Sequence, residues 1–526
     1  MTDPAVQRDA RRSTALVLIA IVVAGAALRL AYVARPLDHR MRSPWRQSDY
    51  VQLARNYWRE DPNLFHPRID WRRDGPGLVE MEFPLLPWTA GMLYRLFGYH
   101  EEILRALSAL LEIGSLLLLA GLARRLLPLS GALAALTFYA ANPLLINLST
   151  AMQPEPLMLF LSLLAIVLLG QWDRTGSTMA LLLAGAALGG AILAKAPAAG
   201  LGVVFAFVVL RRSGLAAIRE ARVWVATVLA LAPPVAWYLW ARRFWILYSN
   251  SLGLSNQSPF LGLDMLAQPG WVFGLLKWET LGVLMPFGWI LLLAARSAPR
   301  TATALPFAWL VSVWIMFVVS ARTTAEDWAF YYHSAAVAPA CLLMGAGVAA
   351  LRDPEPARVL GLAPGRLRRV IGAALTAGMI VLLAAANVVV IRARDGREDL
   401  RAMRTCGLQF VEQIPPEGRI VARGGSMYGR YGEPAAHDRS MLFAWLDRKG
   451  FTYGDQELSI ELLTDIAARG GRYWIAEADE LRGPLKQKVT ERFRSLDVCE
   501  PENYLFDLQA APVLSFSPAN CGQSAK

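Results

Sequence analysis

Apolar runs of about 20 residues, each long enough to cross the hydrocarbon core of a bilayer, recur through the first three quarters of this chain. Backbone polar groups that enter lipid must be paired internally, which leaves helices or closed barrels. Runs of this length, without the short alternating strands of a barrel, select helices. Spans are predicted near residues 13–34, 102–123, 130–148, 155–171, 178–194, 197–210, 223–240, 281–295, 303–320, 334–351 and 370–391, about eleven in all because 197–210 is short. Composition agrees: of 526 residues 55% are hydrophobic and 18% charged, too little polar surface to cover a soluble body of this size.

The net charge of +11 raises the question of nucleic acid. The basic residues sit at span ends and in loops, without nucleic-acid motif spacing, so membrane lipid and topology account for them. Placing the N-terminus in the cytoplasm puts Arg11, Arg12, Arg124, Arg125, Arg211, Arg212, Arg296, Arg300, Arg366, Arg368 and Arg369 on the inner face, as the positive-inside rule favours. The first apolar run has a basic leader but lacks a small-residue cleavage site, so it is expected to remain as a span. No fixed-period repeat is visible.

Three segments then lie outside: 35–101, 241–280 and a tail from about 395. The expected organisation is a transmembrane domain over 1–394 and an outer domain over 395–526. The tail mixes strand-like runs ("GRIVARGG", "RYWIAEA", "NYLFDL") with helix-like ones ("LSIELLTDIAARG", "ELRGPLKQKVTERF"), the pattern of a small α/β domain. Cys406, Cys499 and Cys521 fall in it and Cys341 in a span. In an oxidising compartment one disulfide is expected in the tail with one thiol left over; the spacing does not select the pair.

The first outer loop holds "SPWRQSDYVQLARNYW", residues 43–58. Ser43 before Pro44 is a helix start. Tyr50, Leu53, Ala54 and Tyr57 then share an apolar face, while Gln52, Arg55, Asn56 and Arg59 fill the other. Such a helix is expected to lie at the interface, aromatic face down and polar face toward water. Asp49 reads either as a capping residue paired with Gln52 or, from the Pro44 start, as a second-turn carboxylate facing a cleft. Ionisable groups at membrane depth favour the second reading. After a turn at 74–77 the chain reaches "VEMEFPLLPW", with Glu80 and Glu82 before a run, 83–97, too short to cross and expected to form a second interfacial helix.

Other charges gather on the same face. Glu155, between Pro154 and Pro156, is a helix-start carboxylate favoured by the dipole, and Lys195 in "AILAKAPAAG" can snorkel or hold a phosphate. Arg322, Glu326, Asp327, Tyr331, Tyr332 and His333 sit where a late span re-enters, in a region that an aromatic belt also explains. A folded bundle could gather these groups into one cavity.

Taken in order over residues 15–350, these motifs resemble those of the GT-C superfamily of membrane glycosyltransferases, in particular its bacterial branch of aminoarabinose–lipid A transferases and protein O-mannosyltransferase-like enzymes. That branch has an acid ahead of a Tyr-x-x-Ile/Leu-Ala-Arg helix; "SDYVQLARNY" is similar, with Asp49 the acid. Relatives carry Asp-Glu slightly earlier, where this chain has Arg46 and Gln47. The family's Glu-Lys-Pro-Pro-Leu resembles "EFPLL" (Glu82), its Leu-Asp-Pro resembles "PEP" (Glu155), its Thr-Lys-Gly resembles "AKA" (Lys195), and its Tyr-rich entry resembles "YYHSAAVAPA".

The resemblance implies a GT-C fold and sugar transfer from a polyprenyl-phosphate donor to a hydroxyl of a glycolipid such as lipid A, another glycan or a protein, at the outer face of a bacterial plasma membrane. Asp49 would be the base, with Glu82 and Glu155 as further acids. Lys195 would hold the phosphate, with Arg46, Arg55, Arg322, Tyr331, Tyr332 and His333 lining the substrate site. Some members of the superfamily use a divalent metal, for which Glu82 is the candidate ligand, although no ligand cluster of diagnostic spacing is visible. The rival reading is a transporter or flippase of lipid-linked sugars, which would be expected to show repeated halves with broken helices.

Overall fold

The computed structural model describes residues 4–31, 33–34, 44–254, 263–324, 327–353, 355, 357–395, 398–426, 437, 439–481, 483–499 and 503–510. In chain order the membrane part contains α1 (Pro4–Leu30), α2 (Pro44–Arg59), α3 (Leu85–Phe97), α4 (Glu102–Leu126), α5 (Leu129–Ala140), α6 (Pro143–Leu148), α7 (Glu155–Thr175), α8 (Thr178–Ala194), α9 (Leu201–Ser213) and α10 (Ala221–Tyr248). It continues with α11 (Pro269–Trp278), α12 (Met285–Ala295), α13 (Arg300–Val319), α14 (Ala321–Thr324), α15 (Ser334–Arg352) and α16 (Arg366–Asp395). Among the described residues eight helices are long and apolar enough to cross a membrane, and three shorter apolar helices accompany them.

Every predicted span falls on helical segments, but three are interrupted: 197–210 begins in the 3-10 turn Ala196–Gly200, 281–295 begins in the π-helical turn Glu279–Leu284, and 130–148 is broken. The run 130–148 is two helices because Asn142 caps the amides of Leu144 and Leu145 at 3.0 and 3.2 Å and Pro143 opens the new helix. An accepting side chain followed by a ring with no N–H restarts a helix instead of continuing it. The chain is a multi-pass helical membrane protein. α15 is its central post: almost every side chain from Ser334 to Leu351 is buried, against α5, α12 and α13.

The tail contains α17 (Glu398–Val411), β1 (Ile420–Gly425), α18 (Met441–Leu446), β2 (Gly450–Gly454), α19 (Ile460–Ala468), β3 (Tyr473–Glu477), α20 (Pro484–Arg492), β4 (Arg494–Cys499) and β5 (Asn503–Asp507). The sheet order is β2-β1-β3-β5-β4; β1 runs parallel to β2 and β3, and β5 runs antiparallel to β3 and β4. The α/β expectation holds, with β2 and β4 the two strands not anticipated. Cys406 and Cys499 are bonded and tie α17 to β4; Cys521 lies outside the described residues and Cys341 is a buried free thiol.

One expectation fails here. The polar face of α2 does not meet water: Gln52, Arg55 and Asn56 are buried. Arg55 donates to the carbonyls of Ala444 (2.9 Å) and Phe443 (3.4 Å), Gln52 donates to that of Ser440 (3.3 Å), and Arg59 pairs with Asp447 at 2.5 Å. The last carbonyls of α18 supply acceptors for the donors of α2. Tyr50, Leu53, Ile69 and Trp71 share one apolar core with Ile420, Phe443 and Leu446, so the first loop and the tail fold as one body. On its other side α2 lies close against α3 because Gly91 has no side chain; a Cβ there would sit 2.7 Å from that of Tyr57 and 2.8 Å from the Ala54 carbonyl oxygen.

Candidate active site

Glu82 is held by its backbone. The segment from Glu80 to Phe83 is pinned between one loop and a helix end: the Glu80 amide donates to the Asn250 carbonyl (3.0 Å), Leu252 donates to the Glu80 carbonyl (2.8 Å), and the Phe83 amide donates to the carbonyl of Leu193 in α8 (2.9 Å). The Glu80 carboxylate accepts from Ser251 Oγ at 2.7 Å, which gives that acid a structural task. Glu82 instead faces Arg46, whose guanidinium lies 3.5 Å from Oε1 and also donates to the Leu252 carbonyl at 2.8 Å. Burial works against the Arg46 charge, and the Glu82 carboxylate together with Tyr331, Tyr50 and Tyr332 more than offsets it, keeping the guanidinium protonated. Glu82 Oε2 is buried and has no hydrogen-bond partner among the described residues.

Lys195 occupies the break between α8 and a short 3-10 turn, Ala196–Gly200. It is 3% exposed, so it does not snorkel. Its ammonium group contacts Glu155, the first residue of α7, where the helix dipole favours a carboxylate. It also lies 4.4 Å from the ring centre of Tyr331 and 4.2 Å from that of Tyr332. Arg46 acts electrostatically on the same tyrosine. Two cations from distant parts of the chain thus act on one tyrosine.

Lys195, Glu155, Tyr331 and Tyr332 line a pocket whose other walls are largely apolar, with side chains such as Met158, Leu201, Trp309, Val313 and Phe317. The 3-10 turn can press onto α13 here because residue 200 is glycine: a Cβ would come within 2.3 Å of Met316 Cγ.

Asp49 stands three residues from Arg46 on α2, about 4.5 Å along the axis, and is fully buried. Its Oδ1 accepts from Trp71 Nε1 at 3.1 Å and from Ser440 Oγ at 2.7 Å; Oδ2 has no hydrogen-bond partner among the described residues. Burial pushes the carboxyl up to about 7, against the downward pull of those two donors and of Arg46. Asp49 does not pair with Lys195 directly. Arg46 is the charge that both residues feel.

Several expected members are elsewhere. Arg55 is committed to Asp70 (3.5 Å), to Asp447 (3.2 Å) and to the α18 carbonyls, and so is a docking residue for the tail. His333 turns away from Lys195 to Glu279, 2.8 Å from its Nδ1, while its Nε2 meets the Thr324 carbonyl at 2.9 Å; Glu279 also accepts from Trp314 at 3.0 Å. The Arg322 side chain and Glu326 lie outside the described residues. Trp71 and Ser440 were not anticipated, since no local pattern marks a residue whose partner is 22 or 391 positions away. Among the described residues no three His, Cys, Asp or Glu groups come together as metal ligands, and Glu82 faces a guanidinium. These donors do not fit a divalent ion, and no step below uses one.

Residues 76–240, a stretch that contains Glu82, Glu155 and Lys195, match the family model described as dolichyl-phosphate-mannose-protein mannosyltransferase. No curated protein sequence matches the chain. Among solved structures the fold is similar to ArnT from Cupriavidus metallidurans in the apo state, at 15% identity and a TM-score of 0.60, covering 96% of this chain and 100% of that one. Over nearly its whole length the chain has the GT-C fold. Its GT-C fold is similar also to the archaeal oligosaccharyltransferase AglB from Archaeoglobus fulgidus in complex with an inhibitory peptide and a dolichol-phosphate, at 12% identity and a TM-score of 0.58, covering 94% of this chain and 74% of AglB.

Proposed function

We propose that this GT-C chain transfers a sugar from a polyprenyl-phosphate donor to an acceptor hydroxyl at the outer face of the bacterial plasma membrane, with the N-terminus cytoplasmic. The observation that supports the reading is that Lys195, Glu155, Tyr331 and Tyr332 line one apolar pocket between α7, α9 and α13, with Arg46 acting electrostatically on Lys195 and both tyrosines. A chain with an anionic head and an isoprenoid tail suits that shape. The phosphate takes Lys195 and Arg46 away from Glu155 and Glu82, and the prenyl chain lies along α7, α9 and α13.

The acceptor oxygen attacks the anomeric carbon as the bond from that carbon to the phosphate oxygen breaks. The electron pair leaves with the phosphate, where the two cations stabilise the growing charge. The acceptor proton passes to Asp49 Oδ2. A carboxylate near neutral pKa, dry and with one oxygen unpartnered, suits general-base work. Single displacement inverts the anomeric centre. Glu82 and Glu155 hold the cations before donor arrives and can receive sugar hydroxyls afterwards. Lipid A, another envelope glycan or a protein would serve as acceptor.

The test is transfer of labelled sugar from a polyprenyl-phosphate-linked donor by the purified full-length chain in detergent. Asp49→Asn is expected to abolish turnover while retaining binding of polyprenyl monophosphate. Wild-type turnover in that variant would remove Asp49 as the base.

A further inference from the structure

The tail reaches into the site. Ser440, immediately before α18, donates to Asp49 Oδ1 at 2.7 Å and is itself 2% exposed. Its position is over-determined: its carbonyl accepts from Gln52, its hydroxyl also lies 3.3 Å from the Trp45 carbonyl, and Arg55 grips the two carbonyls that close the same helix. Beside it His437 packs edge-on to Trp71 with ring centres 5.2 Å apart, and Trp71 is the second donor to the same oxygen. Both donors land on Oδ1, so the carboxylate cannot rotate without losing both, and Oδ2 is left for a proton.

We infer that Ser440 is a positioning residue for the catalytic base: the outer domain completes the active site by fixing which oxygen of Asp49 is held and which is free. This rests on the reading of Asp49 as base. An alanine at 440 would leave Trp71 as the one donor to the carboxylate and let it turn. The charged form would then lose a hydrogen bond made from a buried hydroxyl, while the neutral form loses less. The other groups acting on Asp49 are Arg46 and Tyr50 from its own helix and Asp70 from the loop that carries Trp71; none belongs to the tail, so they remain in the variant.

The experiment titrates Asp49 in the full-length protein in detergent by infrared difference spectroscopy, with Asp49→Asn as the blank that identifies its carboxyl band. Ser440→Ala is expected to move the midpoint upward by roughly one to two pH units, the size of one hydrogen bond to a charged group. Ser440→Thr, which keeps the hydroxyl, should titrate as wild type. The acid limb of transfer activity should move with the band and the rate should recover at high pH. Coincident midpoints in wild type and Ser440→Ala overturn the inference, as does an activity loss equal at every pH, which marks a structural role. The parent reading fails separately, through an Asp49→Asn enzyme that still turns over.

Discussion

Replacing Lys195 by methionine removes a buried ammonium group and leaves Glu155 with none of its charge compensated from that side. Both residues are almost wholly inaccessible, and Glu155 Oε2 already lacks a partner among the described residues. Breaking a buried ion pair by deleting one member costs about 3–5 kcal/mol, because the survivor stays buried and charged. Lys195→Met is therefore expected to lower the melting temperature in detergent. Adding Glu155→Gln should recover most of that loss, since the double variant buries no net charge there. The cycle of single and double variants then gives a coupling at least as large as the stability that the second change restores, on the order of 3 kcal/mol or more. Function behaves differently. Losing a charged donor to phosphate costs about 1.5–3 kcal/mol, or roughly 10- to 100-fold in affinity for polyprenyl monophosphate, and the double variant should bind as poorly as Lys195→Met. Recovery of stability without recovery of binding is the signature. If the double variant melts no higher than Lys195→Met, the pair is not the source of the loss. If binding is unchanged in both, Lys195 does not hold the phosphate.

Asp49 is raised from an ordinary 3.8 to about 7, so folding favours its protonated form. Its contribution is fully present below pH 4 and is lost as pH rises through 7, by up to about 4 kcal/mol. Asp49→Asn keeps an oxygen for Trp71 and Ser440 and should raise the melting temperature at pH 8 but not at pH 4; a loss at pH 8 would contradict this. Turnover in wild type should fall on the acid side of a limb near pH 7, because the base must be ionised. Cys406→Ser removes a bridge with a sequence separation of 93 and should destabilise the tail by about 4–5 kcal/mol in the chain-entropy account, visible as easier proteolysis of residues 400–510. Gly91→Ala forces α3 off α2 and should cost about 1–3 kcal/mol; an unchanged melting temperature would show that the two helices part freely.

The helical membrane class and the α2 boundary at Pro44 were legible because apolar length and a proline start are local signals. Glu155, Lys195, Tyr331 and Tyr332 were readable as candidates one at a time, since a charge in an apolar run stands out; their assembly came only with packing. The polar face of α2 misled because amphipathicity reports that two faces differ and not what covers the polar one: carbonyls at the end of α18 served as well as water. The same blindness hid Ser440 and gave His333 to the wrong cluster, where Glu279, on a different helical segment, claims its ring. Arg46 looked like a departure from the acidic pattern of relatives, yet it links Asp49 electrostatically to the pocket.

The bond from Ser440 to Asp49 spans 391 residues. At about 5–20 residues per second, the aspartate leaves the ribosome roughly 20 to 80 s before its second donor exists. During that interval the nascent bundle carries an unfinished carboxylate, and a chain cut short anywhere before residue 440 never receives the hydroxyl. Maturation of the base is in this way tied to completion of synthesis, a checkpoint written into topology.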